Sequence, residues 1–293
     1  MLEDGVPPAG FQQAAWLRGD SMTARPFERE ARTAPWSLRL ALLPIPLLII
    51  VVVMHRYGQI ETAPLFIVIA IAWGLALLAL VLGALAMRRV WIDGVTGFGP
   101  ALVGSLLAVA ILAVPGFLIE EMIRLPRLAD ISTDLDDPPA FQATTQLARP
   151  LPASGPDSEQ ARAYPDILPR HYPVSPARVY EAVLALVASR GWTVRSVTAP
   201  DAENADASIE AVAGTLVLAL PADVAIRIVA DDDGSLVDMR SASRIGAHDL
   251  GDNARRIRAF FNDLDAALQG VTEPVEIDEG DMPPLPPTPP PSR

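Results

Sequence analysis

The residues of this chain best suited to chemistry fall in one run, Arg240-Ser241-Ala242-Ser243-Arg244-Ile245-Gly246-Ala247-His248-Asp249-Leu250-Gly251-Asp252-Asn253. Its hydroxyls suggest nucleophilic catalysis, but a serine needs a positioned base to attack at neutral pH. The histidines of the chain are His55, His171 and His248, and nothing in the spacing pairs His248 with Ser241 or Ser243. Arginine cannot serve as the base, because it stays protonated. A second chemistry is anion binding. Ser241, Ser243, Arg244, Asp249 and Asn253, with Arg240 before them and Arg256 after, could cradle a carboxylate or phosphate where a helix begins and its free amides point outward. Against this stands Asp249, a capping carboxylate in the place an anion would take. The preferred reading is structural: Arg244 or Arg256 pairs with Asp249 and stiffens the corner.

Other chemistry is sparse. Three scattered histidines and no cysteine make no zinc site, and no cofactor is expected. Asp231-Asp232-Asp233-Gly234 lacks the alternating ligands and closing glutamate of a calcium loop, and reads as a hairpin turn.

The elements that must position the run are a strand, a loop and a helix. Strands are predicted over 192–198, 208–212, 215–220, 223–230 and 235–243. A helix opens after Ser175-Pro176, carries Val179, Val183, Leu186 and Val187 on one face, and stops at Gly191. The last helix follows Asp249, its expected cap, with Leu250, Ala254, Ile257, Phe261, Leu264 and Leu268 in one stripe and Gly270 at its end. Helix, antiparallel strands and helix predict an α+β domain over 169–270, two layers with both helices on one sheet face. Alternation then sends Arg227, Asp238 and Arg240 to the opposite face, joined by Arg195 and Glu210. A cross-strand salt ladder in solvent is preferred there over a recognition surface. Losing the Asp249 cap is accordingly expected to cost more stability than losing any one of those charges.

Before this domain lie three apolar runs, 36–54, 64–87 and 97–119, which past Arg39 hold no charged residue. Each is close to the length that crosses a bilayer as a helix, so 36–119 reads as three transmembrane helices, the first kinked by Pro44 and Pro46. Charge-free interiors argue against a pump or channel. Close helix approach at Gly74, Gly83 and Gly104 is conceivable, but ordinary membrane glycines are preferred. Arg25, Arg29 and Arg32 precede the first run, Arg39 lies at its start, and Arg88-Arg89 follow the second, which predicts a cytoplasmic segment 1–35 and an extracytoplasmic C-terminal region in an inner (plasma) membrane. Residues 120–293 carry 28 acids against 15 arginines, a net of −13. That excess argues against nucleic acid as a partner. Residues 120–168 read as an extended connector lying along the domain, with Phe141 and Tyr164 as anchors, and 271–293 as an acidic, proline-rich, disordered tail.

The chain resembles the bacterial and plastid family called domain of unknown function 1499. The resemblance rests on Arg240-Ser241-Ala242-Ser243-Arg244, Gly246, Asp249-Leu250-Gly251, Asn253 and Arg256-Ile257. Asp130-Ile131-Ser132-Thr133-Asp134, Pro138-Pro139-Ala140-Phe141, Tyr164-Pro165 and Gly191-Trp192 support it. Members often carry an acidic pair where this chain has Ala222-Asp223, which weakens a ligand role there. The resemblance implies no established reaction. Two functions stay open: a non-catalytic envelope module whose domain binds a protein or a lipid-like or anionic ligand, and a hydrolase-like envelope enzyme using the Ser241–Arg244–Asp249 corner.

Overall fold

A computed structural model describes residues 31–142, 155, 157–201 and 205–269. The expected disordered tail, the stop at Gly270, most of segment 1–35 and part of the connector lie outside the described residues. The protein is α+β: three long apolar helical spans, then an antiparallel sheet with helices. It divides into two compact units, one within Met1–Pro46 and Ile71–Leu112, the other within Leu47–Ala70 and Ala113–Arg293.

The first apolar span is α1 (Thr33–Leu42) and α2 (Pro44–Arg56), interrupted at Leu43, where Pro44 and Pro46 each remove an amide donor. Then come α3 (Thr62–Asp93) and α4 (Phe98–Arg124). All three spans are long and apolar enough to cross a membrane. In the first unit, small residues let the helices meet closely. The Ser37 hydroxyl donates to the Ala79 carbonyl at 2.8 Å. A methyl group at Gly83 would lie 2.2 Å from Ser105 Oγ, and one at Gly104 only 2.7 Å from Leu38 N. At Gly83 and Gly104 the preferred bland reading is therefore corrected, since a side chain would collide there. It holds at Gly74, where nothing lies within 4 Å.

In the second unit, a six-stranded sheet forms among the described residues: β1 (Asp130–Ser132), β2 (Arg170–Tyr172), β3 (Thr193–Thr198), β4 (Ala207–Gly214), β5 (Pro221–Asp231) and β6 (Gly234–Ser243). The order is β1-β6-β5-β4-β3, every neighbour antiparallel, and β2 pairs with the other end of the β6 edge. Helices α6 (Pro176–Ser189) and α7 (Asp252–Leu268) pack on one face, as the alternation predicts. Val179, Val183, Ile257, Phe260, Phe261 and Leu264 meet Ile209, Val224, Ile226, Ile228, Val237 and Met239 in the core. Phe260, outside the predicted stripe, is fully buried and stacks on Trp192 at 5.7 Å.

Two expectations about this unit change. Residues 215–220 are not a strand but the turn joining β4 to β5. Gly214 and Pro221 are paired, so the chain must reverse between them. Thr215 closes the turn, its amide donating to the Leu220 carbonyl and its hydroxyl accepting from the Leu220 amide, both at 3.0 Å. The connector, expected to be extended, supplies β1 and the short helix α5 (Glu159–Ala163), with Ile131 and Tyr164 in the domain core.

Candidate functional site

Strand alternation decides the geometry of the predicted site. On β6, Val237, Met239 and Ser241 face the helices, while Asp238 and Arg240 face the other way. The structure brings Ser241, Ser243, Asn253 and Arg256 together, but sets Arg240 and Arg244 on the opposite side of the sheet.

On the helix side, the polar groups close on one another. The Ser241 hydroxyl donates to Asn253 Oδ1 at 2.8 Å and accepts from the Arg256 guanidinium at 2.9 Å. Asn253 Oδ1 also accepts from Arg256 at 2.7 Å. The Asn253 amide donates to the Ala129 carbonyl and to Ser243 Oγ, both at 3.0 Å. Arg256 ends in an ion pair with Asp252, one turn earlier on α7. Burial pushes the Arg256 pKa down against the pull of Asp252. Ser241 and Asn253 have no exposed surface. Asp249 is not the cap predicted for it, since the N-cap of α7 is Gly251, but from two residues upstream its carboxylate accepts from the amides of Gly251 and Asn253 at 2.8 Å each. The expected pairing of Asp249 with an arginine does not form. Arg256 is nearer Asp252 on its own helix, and Arg244 points through the other face.

On that other face, each arginine meets a carboxylate of the domain. Arg244 contacts both oxygens of Asp223, the shortest contact being 2.6 Å, and this hydrogen bonding pushes its pKa up. Arg240 forms a two-pronged pair with Asp130 at 3.0 and 2.7 Å and lies over the Phe141 ring at 4.7 Å. Arg227 stands opposite Asp238 in the β5–β6 register and bonds it at 3.0 Å. It also reaches Asp134 at 3.1 Å and Asp137 at 2.6 Å. The Thr133 hydroxyl donates to Asp238 at 3.3 Å and accepts from the Met239 amide at 2.9 Å.

This face is therefore not the solvated ladder expected from alternation. Residues 133–142 cross it, leaving Asp238 1% and Arg240 4% exposed. Burial pushes the Asp238 carboxyl above the ordinary range, with Arg227 pulling the other way. Glu210 shares the face and accepts from the Gln142 amide at 2.7 Å. Arg195 instead sits exposed at a β3 bulge. A cleft of about 220 Å³ runs beneath residues 137–142, lined by Pro139, Gln142, Glu210, Ile226 and Arg227. Pockets for small molecules usually hold more, roughly 300–1,000 Å³.

Spacing within the run did not reveal Asp130, Asp223, Asp238 or Asp252 as the partners. A usable signal was present: Arg227, Arg240 and Arg244 project from one face, and Asp130, Asp134 and Asp137 lie in one short stretch upstream. No group of three or more metal-ligating side chains occurs among the described residues.

Residues 130–264 match the family described as a protein of unknown function, DUF1499. This stretch belongs to that family. No curated protein and no solved structure matches the chain. In this DUF1499 domain, the residues that carried the resemblance are the ones tying β1, β6 and the start of α7 together.

Proposed function

We propose that this chain is a non-catalytic envelope protein, anchored in the inner (plasma) membrane of a bacterial cell by its three apolar helices. Its N-terminus is cytoplasmic. Its DUF1499 domain is extracytoplasmic and works by binding a protein or a lipid-like ligand. The observation that carries this reading is the mutual pairing of Ser241, Asn253 and Arg256 in the polar corner. The only proton of the Ser241 hydroxyl is committed to Asn253, an amide that cannot take it up. Arg240, Arg244 and Arg256 each meet a carboxylate of the chain itself, which disfavours the corner as an anion site. The enzyme alternative requires Ser241, Arg244 and Asp249 to converge, and Ser241 and Arg244 face opposite sides of the sheet.

The arginine distribution supports the orientation. The contact of His55 and Arg56, at the end of the first span, with the turn at 216–218 of the domain supports the count of three crossings and puts both segments on one side, in either orientation. Two further spans lie between those segments, which returns the chain to the same side. A cytoplasm-only reporter fused to the C-terminus is expected to stay silent. The catalytic question is tested with esterase, phosphatase and peptidase substrates on the purified full-length protein and its Ser241→Ala, Ser243→Ala variant. The expected result is no turnover by either. Turnover by the wild type that the variant loses would establish the enzyme instead.

A further inference from the structure

The turn between β4 and β5 carries apolar side chains where a soluble turn carries polar ones. Leu216 is 86% and Val217 65% exposed. Several backbone groups around them have partners. Thr215 closes the turn, the Leu218 carbonyl accepts from His55 Nδ1 at 2.7 Å, and the Leu216 carbonyl accepts from Arg56 at 2.7 Å. With Nδ1 protonated, His55 Nε2 faces Thr62 Oγ1 at 3.2 Å, at the start of the next helix. His55 and Arg56 are the last residues of α2, where the apolar run ends, and exposed Tyr57 follows. Arginine and tyrosine at the end of an apolar span mark the depth of the membrane–water interface. The turn is thus held at that depth by two side chains that occupy the Leu216 and Leu218 carbonyls, while the Leu216 and Val217 side chains remain uncovered. Unpaired carbonyls are what hydrocarbon tolerates least, and exposed leucine and valine are what it takes up.

We propose that Leu216 and Val217 insert into the bilayer beside the end of the first span, making the β4–β5 turn a second membrane contact for the domain. The contact would fix the orientation of the sheet relative to the lipid surface and leave the Asp232-Asp233 turn, at the far end of β5, facing water. The proposal rests on the helices crossing a bilayer and not on what the domain binds.

The chain has no cysteine, so single-site labelling needs no background removal. Full-length Leu216→Cys, Asp232→Cys and Leu77→Cys variants would each carry an environment-sensitive fluorophore in vesicles of phosphatidylcholine and phosphatidylglycerol, with and without lipids bearing a nitroxide either high on the acyl chain, to reach Leu216, or near its end, to reach Leu77. The expected result is a blue-shifted, nitroxide-quenched label at Leu216, quenching at Leu77 within α3, and a water-exposed, unquenched label at Asp232. An unquenched Leu216 label beside a quenched Leu77 label would overturn the proposal and leave the spans intact. If that Leu216 label were nonetheless blue-shifted, protein rather than lipid covers the turn. A Leu77 label that is not quenched would overturn the spans and the proposal together.

Discussion

Arg240 and Ser241 are adjacent in the chain and face opposite sides of the sheet, Arg240 toward Asp130 and Phe141, Ser241 toward Asn253 and Arg256. What reads along the chain as one polar cluster is two networks separated by the thickness of a strand. One seals the β6–α7 corner. The other clasps the segment after β1 to the outer face. A third tie, from Arg227 to Asp134, Asp137 and Asp238, continues that clasp toward the far end of β6.

The outer-face charges should accordingly matter more to stability than their alternation suggested. Asp130→Ala leaves the Arg240 guanidinium buried without its carboxylate, a change that costs about 3–5 kcal/mol. Asp249→Ala removes the carboxylate that accepts from the Gly251 and Asn253 amides at the start of α7, a loss comparable to a helix cap at roughly 0.5–2 kcal/mol. Urea unfolding of the full-length protein in detergent should therefore rank Asp130→Ala as the more damaging variant. Equal losses would place Arg240 in a wetter environment than described.

Asp238 gives a pH test with a definite sign. Its carboxyl is raised above the ordinary value by burial, so between those two pKa values the folded domain keeps a proton that the unfolded chain releases. The stability this group contributes is full below the unfolded pKa, near about 3.9, and is lost as pH rises through the raised one. Asp238→Asn cannot titrate, so its stability relative to wild type should improve as pH rises from about 4 toward neutrality. Unfolding curves collected across that range check it, and a constant difference would contradict the assignment.

In the apolar unit, Gly104→Val places a side chain against the backbone at Leu38 and should lower the thermal stability of the detergent-solubilised protein. A Cβ at Gly74 has nothing within 4 Å, so Gly74→Val should change it little. Monodispersity after heating, read by size-exclusion chromatography, compares the two.

Periodicity exposed much of this fold. The Ala254–Ile257–Phe261–Leu264–Leu268 part of the stripe is buried as predicted, Leu250 lies ahead of α7 and is only half-buried, and Pro176 and Gly191 bracket α6 in their expected roles. Such signals are local, carried by side chains a turn or a pleat apart. The pairing of β1 with β6 is not local: it joins Asp130 to Ala242 across more than a hundred residues, and three residues are too few to show a period. For the same reason, alternation identified which side chains leave β6 away from the helices but could not reveal that residues 133–142 would cover them. The 215–220 stretch misled for another reason. Thr-Leu-Val-Leu-Ala-Leu has strand composition, and only the pairing of Gly214 with Pro221 forces it to turn.

The central claim is that the polar corner braces the fold instead of serving a ligand, and Asn253→Ala tests it most directly. Asn253 links Ser241, Ser243, Arg256 and the Ala129 carbonyl from a fully buried position. Each buried polar group left without a partner costs about 1–3 kcal/mol. Groups kept for binding or catalysis are commonly held at the expense of stability, so replacing one leaves a protein equally or more stable. Thermal unfolding of the full-length variant should show the domain transition falling by about 10 °C or more. A transition unchanged or raised would mean that Asn253 is kept for a ligand, contradicting the brace.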